Sequence, residues 1–239
     1  MHHSIWELQK DWSKMTIEKG KDWGRRGEVG VDTPVARSDA ELSEFFQVDE
    51  SSGTPCPKGP ELVALVPTDD ETVPKDPRLA SNGLALTLGA RGTVETVLGH
   101  ERTIVPIDLG VVVIHNGSTP LTMVMSSSLV IASKFWSGPI EGAMNSSFLG
   151  EWNVTPSGHP NDGRFDVISA ELPMSDRMKA RKRLPSGSHV PHPAISIRRL
   201  RSATFTPPPS ARVWVDGRAL GPAARVEVSV FPDAVELAI

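Results

Sequence analysis

The chain of 239 residues contains no tyrosine and a single cysteine, Cys56. One thiol excludes an intrachain disulfide, and a reducing cytoplasm is the compartment that fits. Long hydrophobic runs are also missing. The best apolar stretch, Ile104 to Ile114, is interrupted by Asp108 and is too short to cross a bilayer, so any membrane contact is expected to be peripheral. Lys10, Asp11 and Lys14 break the N-terminal run that a secretory signal would need. Aromatics are sparse, whereas proline (21) and glycine (20) are frequent. That balance favours many short elements joined by turns over long helices.

The charge is small overall, −4, but unevenly spread. Residues 1–120 hold 12 Lys/Arg against 19 Asp/Glu, and residues 121–239 hold 13 against 10. Basic groups gather at Arg177, Lys179, Arg181, Lys182 and Arg183, and again at Arg198, Arg199 and Arg201. Such clusters attract phosphate, lipid headgroups or nucleic acid, or simply solvate a helix face.

Along the chain, residues 1–15 read as a short amphipathic segment and Val31–Ala36 as a brief strand. Ser38-Asp39-Ala40-Glu41 is a capping box and predicts a helix through Phe46. Residues 49–60 have linker composition. Leu62–Val66 predicts a strand, residues 69–77 an acidic, proline-broken loop, and Leu84–Leu88 a short helix or turn closed by Gly89. Strands are then expected at Thr103–Pro106, Leu109–His115, Leu121–Ser128 and Leu129–Ser133, with Asn116-Gly117 as the strongest hairpin turn. Further strands are expected at Gly150–Val154, Phe165–Leu172, Ala194–Arg201, Arg212–Val215, Arg225–Phe231 and Ala234–Ile239. Ser175 is expected to cap a basic helix ending at Pro185. The fold class is mainly β, an antiparallel β-sandwich with a few short helices. Two parts are expected: an N-terminal extension over 1–60, and a sandwich domain over 61–239.

Two Asp-Gly pairs stand out, in His159-Pro160-Asn161-Asp162-Gly163-Arg164-Phe165-Asp166-Val167 and in Val213-Trp214-Val215-Asp216-Gly217-Arg218. Each reads first as a turn, because glycine supplies positive φ. With Met144–Gly150, Pro156, Phe231-Pro232-Asp233-Ala234-Val235, Asn82–Gly89 and Pro106–Gly110, however, they form an ordered series over roughly residues 80–239. This series resembles the C-terminal domain of the diacylglycerol kinase and sphingosine kinase family. The resemblance implies a structural Mg²⁺ on the Asp162 carboxylate and the carbonyls of His159 and Arg164, a ligand set of the hard oxygens that Mg²⁺ prefers. It also implies a general base at Asp216. Arg218 stands where the family has a glutamate, which makes an ion pair with Asp216 conceivable.

The family's Gly-Gly-Asp-Gly-Thr nucleotide loop has no counterpart, since no two glycines are adjacent. Residues 67–73, in the corresponding place, hold no glycine and three acids that would repel a triphosphate. ATP is therefore not expected to bind this chain alone. Other chemistry is thinly supported. His189 and His192 lack a third ligand for zinc. Ser126-Ser127-Ser128 lacks a nucleophile elbow. Trp136, Trp152 and Trp214 read as core, with Phe135 and Trp136 as an apolar edge. Three functions stay open: a non-catalytic module binding a lipid or anionic headgroup through the helix at 176–183, a lipid kinase whose nucleotide site comes from a partner or second subunit, and a structural homodimer. Nucleic acid is not expected as a partner.

Overall fold

The computed structural model describes residues 23–49, 56–67, 74–133 and 136–239. The amphipathic segment at 1–15, most of the acidic loop and Phe135 lie outside them. Among the described residues no helix is long and apolar enough to cross a membrane.

The backbone of the structure is a ribbon of two long antiparallel strands, β6 (Glu101–His115) and β17 (Arg225–Ala238). β1 (Arg25–Glu28) and β7 (Leu121–Met125) flank β6 at its two ends. β5 (Leu62–Leu65) and β14 (Ser202–Phe205) flank β17. β2 (Val35–Ala36) adds to β5, and both β2–β5 and β5–β17 pair in parallel. A second, wholly antiparallel sheet has the order β13 (Ile195–Leu200), β12 (Phe165–Ala170), β9 (Ile140–Met144), β8 (Ser128–Ser133), β15 (Ala211–Val215), β16 (Arg218–Gly221). Two hairpins are small: β3 (Gln47–Asp49) with β4 (Cys56–Lys58), and β10 (Phe148–Leu149) with β11 (Trp152–Asn153). The helices are α1 (Asp39–Glu44), α2 (Gly83–Leu88), α3 (Val94–Val97) and α4 (Met174–Arg183).

The mainly β, largely antiparallel expectation holds, with local corrections. Strands expected to stop at Pro106 and at Pro232 run straight through. Pro106 sits opposite Glu236, whose N–H is donated away to Glu61. This is therefore a pair that exchanges no hydrogen bonds, and the missing proline N–H costs the ladder nothing. At Pro232-Asp233 the register shifts between Phe231 and Val235, and Asp233 takes φ +48. The linker at 49–60 contains β4. The cap expected at Ser175 is instead Pro173, and α4 passes at Leu184 into a 3₁₀ turn. Half of the box at Ser38 forms as expected, its hydroxyl accepting from Glu41 N–H at 3.1 Å, while the Glu41 carboxylate accepts from Arg37 N–H at 2.8 Å instead of from Ser38.

The ribbon buries opposite faces at its two ends, as the period of two along a strand allows. At one end Val105, Ile107, Leu109, Val235 and Leu237 pack with Leu42, Leu65 and Leu84. Ala36, Leu42 and Phe46, from the expected extension, belong to this same core as Val63 and Leu65. At the other end Val112, Ile114, Val226 and Val228 meet Leu129, Ile131, Phe165, Val213 and Val215, the inner face of the second sheet. The change of face occurs at Gly110, where an added Cβ would lie 3.0 Å from both Met125 and Phe165.

Phe165 is fully buried at this crossover. Phe165→Ala is expected to lower unfolding free energy by about 3–5 kcal/mol. Urea unfolding should show the midpoint falling at unchanged m-value.

Candidate functional site

The Asp216-Gly217 turn joins β15 to β16, with φ +47 and +80 at its two residues, as a two-residue hairpin of the right twist requires. Asp216 is completely buried. Its carboxylate accepts backbone N–H groups from Ser126 (2.8 Å), Ser127 (2.8 Å) and Ser128 (2.9 Å), the residues that turn β7 into β8. Gly217 is pressed under the next segment, where a Cβ would stand 2.9 Å from the Leu79 carbonyl. Three acceptor directions of Asp216 are thus taken up by the backbone of one turn. Arg218 does not bond Asp216 directly. It donates to Ser43 Oγ at 2.6 Å and pairs with Glu44 at 3.2 Å.

Beside Asp216 lies a second buried carboxylate, Asp39 at the start of α1. It caps α2 by accepting from Gly83 N–H (2.7 Å) and Leu84 N–H (3.2 Å). Burial and the neighbouring Asp216 charge push its pKa up to about 7. Burial also raises Asp216, against the pull of its three N–H donors. Two such acids close together cannot both ionise cheaply.

The other Asp-Gly pair is not a hairpin but part of the loop entering β12. Asp162 accepts from Arg164 N–H at 3.0 Å, capping its own turn, and its other oxygen is 3.6 Å from Arg199. Arg199 also lies 3.4 Å from Asp166. His159 accepts from Asn161 N–H through Nδ1 and packs edge-on to Trp23 at 4.4 Å between ring centroids. His159, Asp162 and Arg164 are thus together, but a divalent ion on Asp162 would stand against the Arg199 guanidinium. Among the described residues no group of three His, Cys, Asp or Glu side chains converges on one point.

Composition and motif gave no role to Asp108, which anchors this loop. It is fully buried in mid-β6 and accepts from Gly163 N–H (2.7 Å) and Asp233 N–H (3.0 Å). Burial lifts its pKa to about 7, with Asp233 and Asp162 adding to the rise. The signal for it was a carboxylate inside the most apolar run of the chain. Asn145 ties the two acidic centres, donating to the carbonyls of Asp108 (2.7 Å) and Ser126 (2.9 Å).

The basic helix α4 covers the outer face of the second sheet. Between them is a cavity of about 260 Å³. Val130, Gly142, Met144, Ile168 and Ala170 form its floor, Trp136 and Trp152 its walls, and Met174, Met178 and Ala180 its roof. Gly142 is required there, since a Cβ would lie 2.4 Å from the Leu129 carbonyl. The five expected headgroup cations divide into different roles. Arg177 is a clamp: it donates to the carbonyls of Leu172 (2.6 Å), Gly138 (2.6 Å) and Trp136. Lys179 pairs with Asp176 at 3.0 Å. Arg181 lies over Trp152, 5.7 Å from the ring centre, within cation–π range. Lys182 and Arg183 are exposed at the helix C-terminus, where its dipole favours them. Trp136 is held from behind by buried Arg78, which stacks between it (4.8 Å) and Trp214 (4.3 Å).

No protein-family model matches the chain, and no curated protein does. Solved structures similar to it include a diacylglycerol kinase from Bacillus anthracis str. Sterne, at 12% identity and TM-score 0.45, covering 74% of this chain and 75% of that one. A putative diacylglycerol kinase from the same organism is similar at 10% identity and TM-score 0.46, covering 84% and 83%.

The acidic pair has a pH signature. An acid whose pKa is raised by folding holds a proton that the unfolded chain has lost, so its contribution is complete below about 4 and is lost as pH rises to about 7. His159 and His189, pushed down by burial, act in the opposite sense. The variant comparison isolates Asp39: the stability gap between wild type and Asp39→Asn is expected to be larger at pH 5 than at pH 8. An equal gap in urea unfolding would mean that Asp39 is ionised in the fold throughout.

Proposed function

We propose that this protein binds a single-chain amphiphile, its tail in the cavity beneath α4 and its anionic headgroup at the basic end of that helix. The observation that carries this reading is an apolar cavity with a cationic rim. Its volume is slightly below the range of about 300–1,000 Å³ usual for ligand pockets, which suits one acyl chain better than two. Arg181, Lys182 and Arg183 supply positive charge at the end of the roof. Met174 and Met178 stay largely exposed on the same helix (67% and 55%), leaving apolar surface beside the cations for contact with an anionic bilayer. Asp216 enters this reading as the anchor of a turn and not as a base, and the reading needs neither ATP nor Mg²⁺.

Each methylene transferred into the cavity should contribute about 0.8 kcal/mol, or about fourfold in affinity, until the cavity is full. A series of saturated fatty acids titrated calorimetrically should show that slope and then a plateau. Ala180→Trp fills the cavity from the helix side, leaving every residue of the sheet unchanged, and should abolish binding. Lys182→Glu with Arg183→Glu should weaken sedimentation with anionic vesicles at low salt. A flat chain-length series, or unimpaired binding by Ala180→Trp, would remove the cavity from consideration.

A further inference from the structure

The cavity beneath α4 has a neighbour. Beside it runs an open, apolar groove of about 590 Å³, lined by Val190, Pro191, His192, Pro193, Ile195 and Ile197. Ile195 alone among the described residues lines both spaces. The strand register explains why. β13 is the edge strand of the second sheet, with Ile195 opposite Ala170 and Ile197 opposite Ile168. Residues directly opposite in an antiparallel pair project to the same face. Ala170 and Ile168 are cavity floor, so Ile195 and Ile197 carry that floor outward, and Ile197 already lies beyond the cavity. The chain folds back at this edge. Ile195 donates its N–H to the His192 carbonyl at 3.0 Å, which brings residues 190–193 alongside as the outer bank of the groove. Pro191 and Pro193 have no N–H to offer there.

Ile195 also stands away from the basic end of α4. Its neighbour Ala194 accepts the N–H of Glu171 at 3.2 Å, and Glu171 lies three residues before the helix begins at Met174. Arg181, Lys182 and Arg183 occupy the last turn. A tail whose headgroup is held at that turn points its methyl end at Ile195. We infer that Ile195 sets the chain length this site accepts, its side chain closing the cavity against the groove. This rests on the amphiphile reading above and refines it. The tail stops at Ile195, and a smaller residue there joins the two spaces.

The test titrates saturated fatty acids from octanoate to stearate against the whole protein. In the wild type, affinity should rise about fourfold per methylene and level off at one length. Ile195→Ala should follow the wild type to that length and go on rising beyond it. Ile195→Phe moves the wall the other way and should level off at a shorter chain, which decides the case if Ile195→Ala does not fold. Adding Ile197→Glu to Ile195→Ala puts a charge in the groove, and should remove the extra gain while leaving shorter chains unaffected. If both single variants level off where the wild type does, Ile195 is not the partition and the amphiphile site stands. If the extra gain survives Ile197→Glu, the longer tail does not enter the groove and the inference is overturned. If no fatty acid binds the wild type, both readings fall together.

Discussion

Buried turns must find partners for their backbone N–H groups, and in this protein carboxylates provide them. Asp216 takes the three N–H groups of Ser126, Ser127 and Ser128, Asp39 takes two at the start of α2, and Asp108 takes two from residues 163 and 233. Each bond joins segments distant in sequence. Because these N–H groups are shut away from water, losing one acceptor strands its donors at about 1–3 kcal/mol each. The two cores at opposite ends of the β6–β17 ribbon are therefore joined at their middle by polar pins, with Asn145 spanning from one pin to the other. The cost is visible in the raised pKa values of the same carboxylates, which trade solvation for position.

The second sheet has a different economy. Its inner face closes the sandwich, while its outer face carries Val130, Met144 and Ile168 under a helix with no buried residue of its own. Packing alone does not seat α4. Arg177 does so, with three bonds to carbonyls on two loops, one of which also carries the Trp136 wall. A helix held by one guanidinium at its first turns, and by little along its length, leaves space beneath it. That space is the cavity on which the functional reading rests.

Local signals were legible in the sequence. The Ser38 cap, the Gly89 helix end with φ +67, the hairpin after Asn116-Gly117 and the β15–β16 turn depend on neighbours within a few residues. Pro106 misled because its effect depends on which side of the strand its nitrogen faces, and that is fixed only by Glu236 and Glu61. The partners of Asp216 were illegible for a similar reason. The chain marks a carboxylate on a tight turn, but only the folded path of Ser126–Ser128 decides what it touches. Arg177 looked like one of five equivalent cations until the carbonyls of Trp136 and Gly138 came within its reach. The cavity was illegible, because its floor is one face of three strands and its roof comes from elsewhere in the chain.

Trp136 and Trp152 stand on the cavity wall with ring centroids 5.4 Å apart, each also facing a guanidinium. The chain has no tyrosine, so its near-ultraviolet emission belongs to indole alone. Indole light responds to the polarity and charge around the ring, and these two rings share one small chamber. Their spacing also lets excitation pass between them. Two of the six indoles in the chain thus report on whether that chamber is empty or filled, with no label attached and no competing phenol signal to subtract.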